Sequence, residues 1–254
     1  SDKIELARKG ENNIFWSSKI KWFAKSSGTT NAKSKFIPVS NESLEDCHYA
    51  AGKDLLCMYL SNNPNSQLFT GKSLRLGGSK TPYEKNGTFY GDLSAILIDN
   101  MPFWAEFSST PSNKTSLMED WDYKMVAIIN ETLNENVTSL AGVPSWMLVL
   151  LNKILKESKK EYISEIWPNL EVYFHGGVSF KPYLNQYDAI INKDSMQYYE
   201  IYNASEGFFA IQYENNTNEL LLMLDYGIFY EFIPMKTYGT KNEKIIPLSQ
   251  VEKG

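Results

Sequence analysis

An α/β fold with a β-rich part over residues 196–254 is predicted by three features of this sequence. Apolar residues recur at helical spacing in three stretches, 40–62, 119–133 and 145–156. Short runs of β-branched and aromatic residues lie between and after them, and the later runs follow one another closely enough to pair antiparallel. With 43% hydrophobic positions in 254 residues, the chain can bury one sizeable core, or two subdomains sharing one, without disulfides or metals.

In chain order, a mixed polar segment, Ser1 to Asn13, precedes an apolar and aromatic run, Ile20 to Ala24, that reads as a strand. It enters the small-residue loop Ser26-Ser27-Gly28-Thr29-Thr30, and Phe36 to Val39 reads as the next strand. Glu42, Glu45 and Asp46 suit a helix amino end, and Leu44, Cys47, Ala51, Leu55 and Met58 form its stripe until Asn62-Asn63-Pro64 stops it. Gly71-Lys72-Ser73 offers a Gly-Lys-Ser ending, but Ser66 stands where a phosphate-wrapping loop needs its first glycine, so the segment reads as an ordinary loop. Ala95 to Ile98 is expected to be a strand. Helices follow at Glu119 to Leu133 and Ser145 to Lys156. Strands are then expected at Glu171–Phe174, Tyr198–Tyr202, Phe208–Tyr213, Leu220–Leu224 and Ile228–Ile233, making the second half mostly sheet. Asp225-Tyr226-Gly227 supplies the turn that would join the last two as a hairpin.

Composition excludes several classes of function. The net charge of -5 comes from 25 basic and 30 acidic residues with no basic block, so a nucleic-acid partner is not expected. Cys47 and Cys57 cannot build a disulfide framework or a zinc knuckle, and a reducing, cytoplasmic setting is the expectation. The apolar run Trp146 to Leu151 is far shorter than the ~20 residues of a membrane span, and the polar opening does not read as a secretory leader.

Three segments carry candidate chemistry. Ser26 to Thr30 places backbone N–H groups and hydroxyls around a concavity of anion size, and Lys33 adds a point charge; a surface turn is the alternative. Glu171 to Gly177 is a strand ending in His175 and the pair Gly176-Gly177, which would let a flat ring approach the main chain; a bulge or turn is the alternative. Tyr202-Asn203-Ala204-Ser205-Glu206-Gly207 ends a strand at a hydroxyl and a carboxylate, and Glu206 would hold Mg²⁺ or else be a solvated turn residue. His48 and His175 make no pair, and no nucleophile elbow or metal-binding histidine spacing occurs.

In this order the segments resemble those of the Gretchen Hagen three family, the auxin-responsive acyl acid amido synthetases of the adenylate-forming superfamily, bacterial members above all. The family's Ser-Ser-Gly-Thr-Ser/Thr phosphate loop matches Ser26 to Thr30 with Lys33 and Lys35, and its aromatic-small-Ser-Glu motif matches Tyr202 to Gly207. Gly142-Val143-Pro144-Ser145-Trp146 and His175-Gly176-Gly177 look like further landmarks, so the resemblance covers nearly all of Lys19 to Gly254. It implies an adenylate-forming large-domain fold, with mixed sheets flanked by helices and a β-rich subdomain. The family's Tyr-Arg-x-Gly-Asp motif and mobile C-terminal lid domain are not among these residues, which implies an incomplete N-terminal adenylation domain, inactive alone.

The resemblance further implies that a carboxylate attacks the α-phosphorus of ATP, leaving an acyl-adenylate from which an amine, such as an amino acid, displaces AMP. In that scheme Ser26, Ser27, Gly28, Thr29, Thr30 and Lys33 hold phosphates, with Ser27, Thr30 and Glu206 closest to the reaction and Glu206 directing Mg²⁺. Gly176, Gly177, Tyr202, Ala204 and Ser205 frame the nucleotide, and Val143, Pro144, His175 and Phe209 line the acid pocket. Two other readings stay open: an acyl-CoA ligase, distinguished by the acceptor it uses, and a non-catalytic β-rich binding module, which predicts no nucleotide affinity.

Overall fold

The structure, a computed structural model, describes residues 2–17, 19–26, 35–192 and 194–252. Helix α1 (Asp2–Arg8) carries Asp2 and Glu5 in its first turn and Arg8 in its last, complementing the helix dipole. Strands β1 (Trp22–Lys25) and β2 (Phe36–Val39) pair antiparallel with Lys25 opposite Phe36. The helix expected after Ser40 forms, opening as a seven-residue π-helical segment, Ser43–Tyr49, and continuing as α2 (Ala50–Asn62). Of its expected stripe Leu44, Cys47, Ala51 and Leu55 are buried, whereas Met58 is half-buried and its neighbour Tyr59 takes the inner position.

Strand β3 (Lys72–Leu76) begins within the segment expected to be a loop. A Cβ at Gly71 would stand 2.2 Å from the Asn136 carbonyl oxygen, so this glycine permits close strand packing. A hairpin, β4 (Tyr83–Lys85) and β5 (Thr88–Gly91), follows. The expected strand at Ala95–Ile98 is instead helix α3 (Leu93–Asp99). The Asp92 carboxylate caps it by accepting the Ala95 N–H at 2.8 Å, and a short apolar run has no periodicity strong enough to outweigh such a cap.

Next come α4 (Phe103–Phe107), β6 (Ser109–Thr110), α5 (Asn113–Ser116), α6 (Trp121–Thr132), β7 (Val137–Gly142) and α7 (Pro144–Ser158). The chain then adds β8 (Val172–Gly176), α8 (Leu184–Ile191), β9 (Gln197–Ala204), β10 (Gly207–Gln212), β11 (Leu220–Leu222), β12 (Glu231–Phe232) and β13 (Ile246–Pro247). The second half is thus less uniformly sheet than expected, because α7 and α8 cross over between its parallel strands.

Seven strands form the main sheet in the order β11-β10-β9-β8-β7-β3-β6, with β6, β3, β7, β8 and β9 parallel and β10 and β11 antiparallel at one edge. A second sheet has the order β2-β1-β5-β4. Both faces of the main sheet are covered, as a parallel sheet demands. Leu74, Leu140 and Tyr173 pack under α6, α7 and α8 with Met125, Met147, Leu150 and Tyr187. On the opposite face Phe174 and Tyr199 meet Tyr59 of α2 edge to face, at ring separations of 5.6 and 5.2 Å.

The expected hairpin across Asp225–Gly227 does not form: β11 pairs with β10, and β12 pairs with β13. Gly227 has the positive φ that a turn needs, +69°. Tyr226, however, is drawn onto α2, where its hydroxyl donates to Asp54 at 2.7 Å, and Met223 is buried beside it. The chain therefore leaves the sheet after Leu222. Strands β9 and β10 share one core with α2 and β8.

Candidate functional site

Open α/β sheets bind ligands beyond the carboxyl ends of their parallel strands. Here that edge carries Leu76, Gly142, His175 and Glu200 in one register row, with the pair Gly176 and Ile201 a step beyond. Close backbone approach accounts for its glycines. A Cβ at Gly142 would lie 2.7 Å from the Leu76 carbonyl oxygen, and one at Gly176 would lie 2.5 Å from that of Ile201. Gly177 turns the chain away at φ +83°.

Beyond this edge Gly177–Ser179 on one side and Glu200–Ala204 on the other enclose a groove of about 410 Å³, within the roughly 300–1,000 Å³ of small-molecule sites. It unites two of the segments singled out in the sequence, since Gly177, Tyr202 and Ala204 all line it. Tyr202 is 57% exposed, and its ring lies 5.1 Å from that of Phe209. Gly176 lies buried within β8 just before the groove, and Ser205 and Glu206 form the tight turn from β9 into β10. The Glu206 carboxylate is exposed and has no hydrogen-bond or ion-pair partner among the described residues. Among those residues no three His, Cys, Asp or Glu side chains cluster as metal ligands do, and no helix is long and apolar enough to cross a membrane.

Ser27, Gly28, Thr29, Thr30 and Lys33 lie outside the described residues. The mouth of their loop is described: the Ser26 N–H donates to the Lys35 carbonyl oxygen at 3.0 Å, and the Ser26 hydroxyl accepts the Lys35 N–H at 3.3 Å. One segment supports both this hairpin and the Glu206 turn. In the π-helical stretch Leu44 packs with Ala24 of β1 and Val39 of β2, while the Cys47 sulfur accepts the Phe208 N–H at 3.3 Å as β10 begins.

The expected acid-pocket residues are placed less uniformly. Val143, half-buried at the amino end of α7, would touch a Cβ on Gly177 through its Cγ2 at 3.5 Å. Pro144 is buried in the first turn of α7, with its carbonyl oxygen accepting the Tyr187 hydroxyl at 2.7 Å. His175 is 2% exposed and stacked on Phe180 at 4.1 Å, away from the α2 face. Burial pushes its imidazole down to about 4, so it is neutral at pH 7.

Sequence reasoning missed the network that fixes the loop after β3. Lys124, 2% exposed on α6, donates to the carbonyl oxygens of Gly77 (3.3 Å), Gly78 and Ser116 (2.5 Å). Asp92 accepts the Ser79 N–H at 2.9 Å and the Ser79 hydroxyl, and Ser94 accepts the Gly78 N–H at 2.8 Å. The available signal was a lysine at a helix position between apolar neighbours.

The family model for the "GH3 family N-terminal domain" matches residues 1–196 of this chain. No curated protein sequence matches the chain. Among solved structures, "AtGH3.15 acyl acid amido synthetase in complex with 2,4-DB" superposes with a TM-score of 0.73 at 15% identity, covering 98% of this chain and 52% of the other. "GH3.15 acyl acid amido synthetase" gives 0.72 at 14% identity, with 99% and 52% covered. The chain thus spans about half the length of these proteins, and at such identities the likeness is one of fold.

Proposed function

Because the chain belongs to the GH3 family, whose N-terminal domain it matches over residues 1–196, we propose that it forms the nucleotide- and acid-binding part of an enzyme that activates a carboxylic acid with ATP and transfers the acyl group to an amine. The single observation that best supports this reading is the groove in which Gly177 meets Tyr202 and Ala204 at the carboxyl edge of the parallel strands. Gly177 leaves room for a flat base to lie against the main chain, and the exposed Tyr202 ring offers it an aromatic face.

A carboxylate is already nucleophilic and needs no base to attack the α-phosphorus, so the protein's work in this step is positioning and charge neutralisation. The sequence offers no histidine-centred triad, and this chemistry needs none. Ser26 to Thr30 and Lys33 are assigned to the phosphates on the strength of their motif, and Glu206 to a divalent cation, for which a free carboxylate on a turn is a suitable oxygen donor. Such an ion would neutralise phosphate charge. Val143, which follows Gly142 and lies against Gly177, is assigned to the wall of the acid pocket.

The test is acid-dependent exchange of labelled pyrophosphate into ATP by the full-length gene product. Replacing Ser27 or Glu206 with alanine is expected to lower exchange at least a hundredfold, in line with the roughly 10²–10³ lost when one preorganised charge-stabilising donor is removed. Undiminished exchange in both variants would remove both residues from the reaction.

A further inference from the structure

Where the end of α1 meets the β4–β5 hairpin, the fold gathers more positive charge than it uses. A cavity of about 140 Å³ lies there, with Glu5, Arg8 and Lys9 on the helix side and Lys85, Asn86 and Tyr90 on the hairpin side. Lys19 closes it further. Its ammonium would lie 3.3 Å from a Cβ on Gly87 and 3.9 Å from one on Gly10, so it stands between the hairpin turn and the end of the helix. Arg8, Lys9, Lys19 and Lys85 thus surround one carboxylate, Glu5, which accepts from the Arg8 Nη1 at 2.7 Å. No ion pair among the described residues includes Lys9, Lys19 or Lys85.

The carbonyl oxygens at the end of α1 are already engaged. Those of Glu5, Leu6 and Ala7 accept the N–H groups of Lys9, Glu11 and Gly10, and that of Arg8 accepts the Tyr90 hydroxyl at 3.3 Å. Two donors on the surrounding elements are left over. The Nε–H of Arg8 is buried without a partner. So is the hydroxyl of Thr88, a fully buried residue two positions before Tyr90 on the same face of β5. Buried donors of this kind are costly unless a partner arrives. Complementing the helix dipole accounts for Arg8 and Lys9 at the end of α1, but not for Lys19 and Lys85, which other segments bring to the same place.

The cavity is separate from the loop assigned to the phosphates of ATP. Lys19 precedes β1 and that loop follows it, so the four residues of the strand, about 13 Å, lie between them. Its volume is below the roughly 300 Å³ at which small-molecule sites begin, which suits a tetrahedral oxyanion and not a nucleotide. We propose that this cavity is a second anion site, taking a phosphate-type oxyanion between Lys19 and Lys85 with Arg8 beside it. The site is independent of the acid-activating reading, so pyrophosphate exchange tests that reading and leaves this one untouched. The oxyanion has two sources, free inorganic phosphate or the head of a phosphomonoester.

The experiment titrates the chain with inorganic phosphate and with methyl phosphate, at constant ionic strength and without nucleotide, and follows amide chemical shifts. The wild type is expected to bind at millimolar phosphate, with the Asn86 and Gly87 amides among those that move. Lys19→Gln and Lys85→Gln are each expected to weaken binding about fivefold, the effect of one unit charge at contact distance in water. Glu5→Gln, which removes the competing carboxylate and frees Arg8, is expected to tighten it by a similar factor. Lys156→Gln on α7 removes the same charge from a distant exposed position and should change nothing. Lys19 and Lys85 are exposed, and melting curves without phosphate establish that their variants fold. A preference for inorganic phosphate marks the free ion as the source and a preference for methyl phosphate marks a phosphomonoester; both uphold the site. No binding by the wild type, equal affinity in the wild type and the Lys19→Gln/Lys85→Gln pair, an equal loss in Lys156→Gln, or shifts confined to the Ser26–Thr30 loop would each overturn the proposal.

Discussion

At the scale of single residues, the main constraints are backbone approach and buried polar groups. Gly176→Ala would drive a methyl group into the Ile201 carbonyl oxygen, and overpacking of this kind costs about 1–3 kcal/mol. Gly227→Ala meets no atom within 4 Å and should cost about 1 kcal/mol from its positive φ alone. Urea unfolding of the two variants is expected to rank them in that order; a larger loss at Gly227 would contradict it. His48 and His175 give a pH signature. Burial holds both imidazoles near 4, below the ordinary 6.5, so the unfolded chain binds more protons between those values. Their contribution is therefore complete above pH 6.5 and lost as pH falls towards 4, by at most about 3 kcal/mol each. Denaturant midpoints measured across that window should fall with acid, and His48→Phe should flatten the slope. An unchanged slope would mean that His48 does not titrate as its burial requires.

At the scale of elements, caps and anchors decided what the apolar pattern left open. Helices α2, α6 and α7 were legible because their stripes run through several turns, as Leu44, Cys47, Ala51 and Leu55 do. Strands β3 and β7 were not legible. Lys72–Leu76 alternates too briefly to stand out, and Val137–Gly142 includes Thr138 and Ser139, which are buried and polar. Thr138 is satisfied by the Leu68 carbonyl oxygen at 2.6 Å, a partner 70 residues away that no local pattern announces. The mistaken hairpin at Asp225–Gly227 has the same origin in a distant partner, Asp54 on α2. Tyr226→Phe should accordingly cost about 1 kcal/mol for the lost hydrogen bond, and Tyr226→Ala about 3–5 kcal/mol with faster amide exchange in β10 and β11. Equal stability of the two variants would show that Tyr226 does not anchor the edge. Lys124→Met, which strands buried carbonyl oxygens of Gly77, Gly78 and Ser116, should cost about 3 kcal/mol or more. A loss below 1 kcal/mol would mean that the loop after β3 is held by Asp92 and Ser94 without it.

At the scale of the whole molecule, the family and the α/β architecture were both readable from short motifs in a fixed order. The second-half motifs fall together in space, with Gly177, Tyr202 and Ala204 around one groove. What the motifs could not convey is the scaffold behind them: the π-helical segment packs on the β1–β2 hairpin through Leu44 and accepts the N–H at the start of β10 through Cys47. Nor did they point to Lys124, whose role depends on which loops the parallel sheet brings to its carboxyl edge. The account as a whole therefore turns on one ligand touching both supports at once. The most direct measurement is a double-mutant cycle on Mg·ATP affinity, by calorimetry, with Ser27→Ala, Glu206→Ala and the pair. Each single change is expected to weaken binding about tenfold, and the pair to depart from additivity by about 0.5–3 kcal/mol, because both residues would act on one triphosphate and its cation. Wild-type affinity in both single variants, or losses that simply add, would contradict a shared crevice.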